Sequence, residues 1–214
     1  MHVVALYLGA FLSGAGKDVV LTIVSTILSI IIGILAAAGR LYGPKVVQLI
    51  IAWYVEIIRG LPAILQLFII YLGFNQIGVT FSPLTAALIW LVAYGVGYAV
   101  EIFRSGIMEV AQGQREAAMA LGLSSSTTMR KIIVPQAMTA MLPPLVSFVV
   151  LQLKNTTMLY LVGFADVMYQ ARLGTDATEK PGTLYLMAAL IYLILSLVIG
   201  RIGMRLERRA AVYR

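Results

Sequence analysis

The chain has 214 residues, 61% hydrophobic and 12% charged, with a formal net charge of +7 and a mean hydropathy of +0.95. A soluble domain carries about 25% charged residues, so the composition excludes an ordinary water-soluble fold and calls for a bilayer as solvent. With no cysteine and only one histidine, terminal His2, the sequence leaves no basis for disulfides, thiolate chemistry, a His-based metal site or a Ser–His intramembrane protease.

Five apolar segments follow in chain order, at about residues 19–38, 46–74, 84–102, 142–164 and 183–204. The first is too long for a signal-peptide core and about right for a helix crossing ~30 Å of hydrocarbon, so it is expected to be retained as a span. The second is interrupted at Arg59-Gly60-Leu61-Pro62, and the third opens at Ser82-Pro83. The fourth carries Pro143 and Pro144, which suit the first turn of a helix. No short repeat or flexible linker divides the chain, so residues 1–214 read as one membrane domain.

The basic residues lie between the apolar runs and read as topology signals rather than as a nucleic-acid surface. Arg40, Lys45, Arg104, Arg115, Arg130, Lys131, Arg201, Arg205, Arg208, Arg209 and Arg214 fall on one side, against Lys17, Arg172 and Lys180 on the other. The positive-inside rule puts the first group in the cytoplasm. The expected architecture is an all-α integral membrane protein of five transmembrane helices, N-terminus outside and C-terminus cytoplasmic. The charged outer connection between Asp166 and Pro181 reads as a solvated loop.

The stretch at residues 106–131 is more than a connection. Gln114, Arg115, Glu116, Ala117, Ala118, Ala120 and Leu121 favour helix, Gly122 stands where a helix stop is expected, and Ser124 can cap a second helix. Three alanines leave part of this helix without bulk, so it can enter a groove on another protein. An amphipathic helix lying on the inner leaflet is the competing reading.

Glu116-Ala117-Ala118, Leu121-Gly122-Leu123-Ser124 and Ile133-Val134-Pro135-Gln136-Ala137 together resemble the "EAA" loop of ABC-importer permeases. Tyr54-Val55-Glu56-Ile57-Ile58-Arg59-Gly60-Leu61-Pro62 resembles the Y-x-E-x-x-R-G-T-P segment of the polar amino-acid branch, which handles histidine, arginine, lysine, glutamine, glutamate and opines. Glu101-Ile102-Phe103-Arg104-Ser105-Gly106-Ile107 resembles its E-I-x-R-G-G-I, and Lys154-Asn155-Thr156-Thr157-Met158-Leu159 its K-D-T-S-L. Leu61, Ser105, Asn155 and Thr157 depart from those patterns, and Asn155 removes a carboxylate.

The resemblance implies a type I importer fold in a prokaryotic plasma (inner) membrane. The loop helix would dock on separate ATPase subunits, which hold the ATP and Mg; this chain has no phosphate-binding loop and needs no cofactor of its own. Implied partners are two ATPases, a second permease subunit (an identical chain or a close paralogue), an extracytoplasmic amino-acid-binding protein and membrane lipid.

Glu56 lies eleven residues beyond Lys45, about 16 Å along a helix and near mid-membrane. Lys154 and Asn155 reach similar depth in the fourth segment. Ionisable groups there are expected to be paired or to face a cavity. As a substrate path, Glu56 would accept an ammonium, Lys154 would bind a carboxylate, and Asn155, Thr156 and Thr157 would add neutral hydrogen bonds. As structure alone, Glu56 would pair with Lys154 or with Arg59. Glu101 and Arg104, one turn apart, are expected to form a local ion pair. An ion-driven carrier is the other functional class, disfavoured by the docking loop.

Overall fold

In lipid every backbone N–H and C=O must find a partner within the chain, which for these apolar runs means helix. The computed structural model describes residues 2–210; Arg214 of the expected basic end lies outside the described residues. Helix α1 spans His2–Tyr42, α2 Lys45–Gly60, α3 Ala63–Phe68, α4 Pro83–Glu109, α5 Gln112–Ala120 and α6 Ser125–Thr128. The long α7 spans Val134–Thr156, α8 Val167–Thr178 and α9 Pro181–Ala210. Among the described residues four helices are long and apolar enough to cross a membrane, and the bent pair Lys45–Gly60 and Ala63–Gln76 makes a fifth crossing if its two arms count as one.

Side-chain contacts fix the directions. Ser29 Oγ donates to the Val92 carbonyl, a Cβ on Gly33 would stand against Ala99, and Arg40 bonds Glu101, so α1 and α4 run parallel. Gln152 reaches Leu91 while Met141 lies against Gly106, so α7 runs antiparallel to both. Asp18 meets Tyr192 and Val146 meets Gly203, which sets α9 alongside α1. Two parallel neighbours joined by residues 43–82 require the chain to return across the bundle in between. The bent pair performs that return.

Its bend of 109° follows from Pro62, which has no N–H to offer and stands just ahead of α3. The break frees carbonyls at the end of α2, and Gln66 covers them: its Nε2 donates to Ile58 O at 2.7 Å and to Leu61 O at 3.0 Å. Gln66 is itself buried. Gln66→Leu is expected to cost about 2–4 kcal/mol by stranding the two carbonyls freed at the bend. Thermal unfolding of the purified chain measures the loss, and wild-type stability would show that the bend holds without this amide.

Three of the expected boundaries differ. The first span belongs to a 41-residue helix, roughly 60 Å long, about twice the hydrocarbon thickness. Lys17-Asp18 stands just ahead of the expected first span, yet Asp18 is fully buried. Its Oδ2 accepts from Val167 N at 3.2 Å and from the Tyr192 hydroxyl at 2.9 Å, tying α1 to α8 and α9. Gly14 permits that approach, since a Cβ there would lie 2.8 Å from the Asp166 carbonyl carbon.

The fourth span begins at Val134, with Pro135 in its first turn, so Pro143 and Pro144 lie inside the helix rather than at its start. Both are exposed, on the outer side of the helix. The helix stops at Thr156 and a 3-10 turn over Leu159–Val162 follows, ending at Gly163 with φ of 83°.

The outer connection is also not a simple solvated loop. Asp166 is fully buried and caps α8, its Oδ1 accepting from Tyr169 N at 2.6 Å. Burial pushes the Asp166 carboxyl up to about 7, and the nearby Asp18 charge adds to the rise.

Candidate functional site

Two regions carry polar chemistry: the projecting loop helix, and the helices around the bend. Helix α5 ends as the residue pattern demands. Leu123 N donates to Ala118 O at 3.0 Å and Gly122 N to Met119 O at 2.9 Å, the paired bonds of a Schellman stop. Gly122 adopts φ of 69°, a left-handed conformation that costs glycine nothing. Ser124 then accepts from Thr127 N and opens α6.

Ala118 is the buried anchor of α5. Gln114, Glu116, Ala117, Ala120, Leu121 and Gly122 are exposed, and Arg115 is half-buried with its guanidinium 3.5 Å from the Ile107 carbonyl. Gln112 donates to Glu116 across one turn at 2.8 Å. Met119 and Leu121 stand out from the helix at 66% and 77% exposure. A short helix with small residues and two apolar knobs, fixed at both ends, has the shape of a docking element.

Where α1 and α4 meet, Glu101 is shared between two arginines. It accepts from Arg104 Nε at 3.1 Å and from Arg40 Nη1 at 3.0 Å. The Arg104 partner is one turn away in sequence; Arg40, read from the sequence only as a topology charge, is 61 residues away. One carboxylate thus joins the ends of two parallel helices.

The path residues divide into two sets. Glu56, Arg59 and Lys154 are exposed on the outside of the chain. Neither Glu56 with Lys154 nor Glu56 with Arg59 forms an ion pair; among the described residues the only ion pairs are those of Glu101. Arg59 instead lies over the Tyr98 ring, 5.7 Å from its centroid, so a π-face rather than a carboxylate offsets its charge. Tyr98 in turn accepts from the Tyr94 hydroxyl at 2.9 Å.

Asn155 and Thr156 are buried and Thr157 is half-buried. Asn155 reaches Gln152 at 3.5 Å, and Thr156 and Thr157 return their hydroxyls to carbonyls of their own helix. Lys154 therefore points away from the bundle while its neighbour Asn155 points into it.

Gln152 is the interior residue that charge-based reasoning misses. It is fully buried, and its Nε2 donates to Leu91 O at 3.0 Å and to Ser25 Oγ at 3.4 Å. That links α7 to α4 and α1 at one point. A lone amide inside an apolar run is the signal that marks it, and the same holds for Gln66. Trp90 is fully buried beside Tyr94, so it packs in the bundle, whereas Trp53 is exposed.

Residues 29–212 match the family described as binding-protein-dependent transport system inner membrane component. The chain belongs to this family. It is a permease subunit, the membrane-embedded component of a transport system, and its ATPase activity resides in separate subunits.

The permease is 30% identical over 205 residues to the glutamine transport system permease protein GlnP of Escherichia coli K12, covering 94% of this chain and 93% of that one. It is 31% identical over 199 residues to the arginine transport system permease protein ArtQ of Bacillus subtilis, covering 92% and 91% respectively. Among solved structures it superposes on a chain of an amino acid ABC transporter crystallised with histidines, with a TM-score of 0.92, 32% identity and 96% of each chain covered. A methionine ABC transporter, MetNI, in an inward-facing form shares the fold at a TM-score of 0.76 and 20% identity.

Proposed function

We propose that the permease provides the translocation path for polar amino acids, basic ones among the candidates, in an ATP-binding cassette importer. Helix α5 carries this reading: it is capped at its end, stands clear of the bundle, and offers Met119 and Leu121 to another protein. Two ATPase subunits would receive this helix and its counterpart on a second permease, and ATP with Mg would be bound there. An extracytoplasmic binding protein would deliver substrate at the opposite end, near α8. The relatives' glutamine, arginine and histidine associations support the substrate class.

The orientation follows from charge. Arg40, Arg104 and the arginines of α9 gather at one end of three parallel helices, the end that carries α5. The positive-inside rule makes it cytoplasmic.

Glu56 and Lys154 are exposed and without ion-pair partners in a segment that lies in lipid or against protein. A single chain cannot enclose a path of amino-acid width, so a second permease would face these groups across a shared cavity. There Glu56 receives the substrate ammonium and Lys154 its carboxylate, with Arg59 and Thr157 at the margin. Asn155 and Thr156 shape the wall from within.

Glu56→Gln and Lys154→Met are each expected to raise the uptake KM about 10- to 100-fold, the range set by losing one charged hydrogen bond. Radiolabelled uptake by reconstituted complexes measures it, with each variant confirmed to assemble. Unchanged affinity and rate in both variants would remove these residues from the path. ATP turnover that rises on adding the binding protein tests the importer assignment itself; a stable complex without an ATPase would favour an ion-driven carrier.

A further inference from the structure

A groove of ≈ 400 Å³ runs down the outside of the bundle between α1, α7 and α9, and its walls are almost wholly apolar. Val19 closes it at one end and Leu206 at the other, with Val146 and Val149 on one wall and Leu195 and Ile202 opposite. The stretch Leu195–Leu206 rises about 16 Å, the depth of one hydrocarbon leaflet in a bilayer core of ~30 Å. A groove of this length and polarity suits a single acyl chain.

Its mouth has a definite charge. Arg205 follows Ile202 by three positions and Arg209 follows Leu206 by three, so both continue the groove-lining face of α9. Both are exposed and neither is in an ion pair among the described residues. The one acid of α9, Glu207, follows the groove-lining Gly203 by four positions and is half-buried, so a single carboxylate stands beside the two exposed guanidinium groups; neither α7 nor the α1 stretch beyond Asp18 carries an acid. Free guanidinium groups sit where an acyl chain in the groove would end in its headgroup.

We propose that this groove is a binding site for one anionic phospholipid from the arginine-side leaflet, held by its acyl chain against α1, α7 and α9 and by its phosphate at Arg205 and Arg209. Local charge favours a lipid over a second copy at this groove. Two copies joined across it would set Arg205 and Arg209 of each beside those of the other, whereas the face proposed for a second permease carries Glu56 as well as Lys154. A phospholipid supplies the missing negative charge and the hydrocarbon in one molecule.

The test reconstitutes the full chain in vesicles of phosphatidylglycerol and phosphatidylethanolamine in equal amounts, extracts it gently and counts retained lipid by native mass spectrometry. Phosphatidylglycerol should be retained about tenfold over phosphatidylethanolamine, a factor on the scale expected for guanidinium groups at an anionic headgroup. R205Q/R209Q should abolish that preference, and V149W, which fills the groove, should lower retention of both lipids. Equal retention by the wild type, an unchanged preference in R205Q/R209Q, or full phosphatidylglycerol retention by V149W would each overturn the site. The chain has no cysteine, so I202C adds a unique thiol. Efficient disulfide cross-linking between two I202C chains in the vesicle would show a second copy covering the groove and would also overturn it.

Discussion

Gly95→Leu is expected to prevent accumulation of the folded permease, and the milder Gly95→Ala to lower its stability by about 1–3 kcal/mol through overpacking. A Cβ at Gly95 would lie 2.2 Å from Ser29 Oγ and 2.8 Å from Gln152 Nε2. This is the point where α1, α4 and α7 cross and where Gln152 makes its two interhelical bonds. The added carbon therefore displaces both the helix contact and the amide that ties three helices. Ser29→Gly removes the opposing side chain and should rescue Gly95→Ala while leaving Gly95→Leu defective. Membrane abundance and thermal unfolding read all three variants. A Gly95→Leu protein with wild-type stability would show that the crossing is loose.

The second large effect is expected at α5, the proposed docking element. Met119→Asp with Leu121→Asp should lower uptake by at least about 100-fold, because each change puts an unpaired carboxylate where an apolar contact would be buried on docking. Insertion and stability should be little changed, since both side chains are mostly exposed. The ATPase should no longer co-purify. Gly122→Val acts differently: it strains the left-handed stop at φ of 69° and should alter coupling with docking retained. Normal uptake in the double variant would place the docking surface elsewhere.

Helices were the legible part of the fold, because a run of apolar residues in lipid has few other ways to satisfy its backbone. The break at Pro62, the stop at Gly122 and the cap at Ser124 were equally legible, each being a local rule that a few residues state by themselves. Boundaries set by tertiary contact were not. Asp18 stands just ahead of the expected first span, and only the approach of Val167 and Tyr192 makes it an interior residue. Pro143 and Pro144 read as a helix start, and their outward position lets the helix pass through them.

The candidate site was legible as residue types and not as pairs. Glu56 and Lys154 stand out as charges in apolar runs, but neither has an ion-pair partner among the described residues. Gln66 and Gln152, being uncharged, do not stand out in the sequence although their amides bridge the bend and three helices. Glu101 and Arg104 were an obvious neighbouring pair, while Arg40 joins them only through the fold.

The way α5 is attached has a mechanical consequence. Only two residues separate Glu109 at the end of α4 from Gln112, and Leu121 to Ser124 is the only non-helical stretch between α5 and the continuous helical run into α7. There is almost no slack on either side. A push on α5 has no compliant loop in which to dissipate, so it must tilt α4 and α7 against each other. Those two rods pack against each other from Met141 and Gly106, next to α5, up to Gln152 and Leu91. A stroke at one face is therefore carried along the whole seam rather than absorbed at its near end.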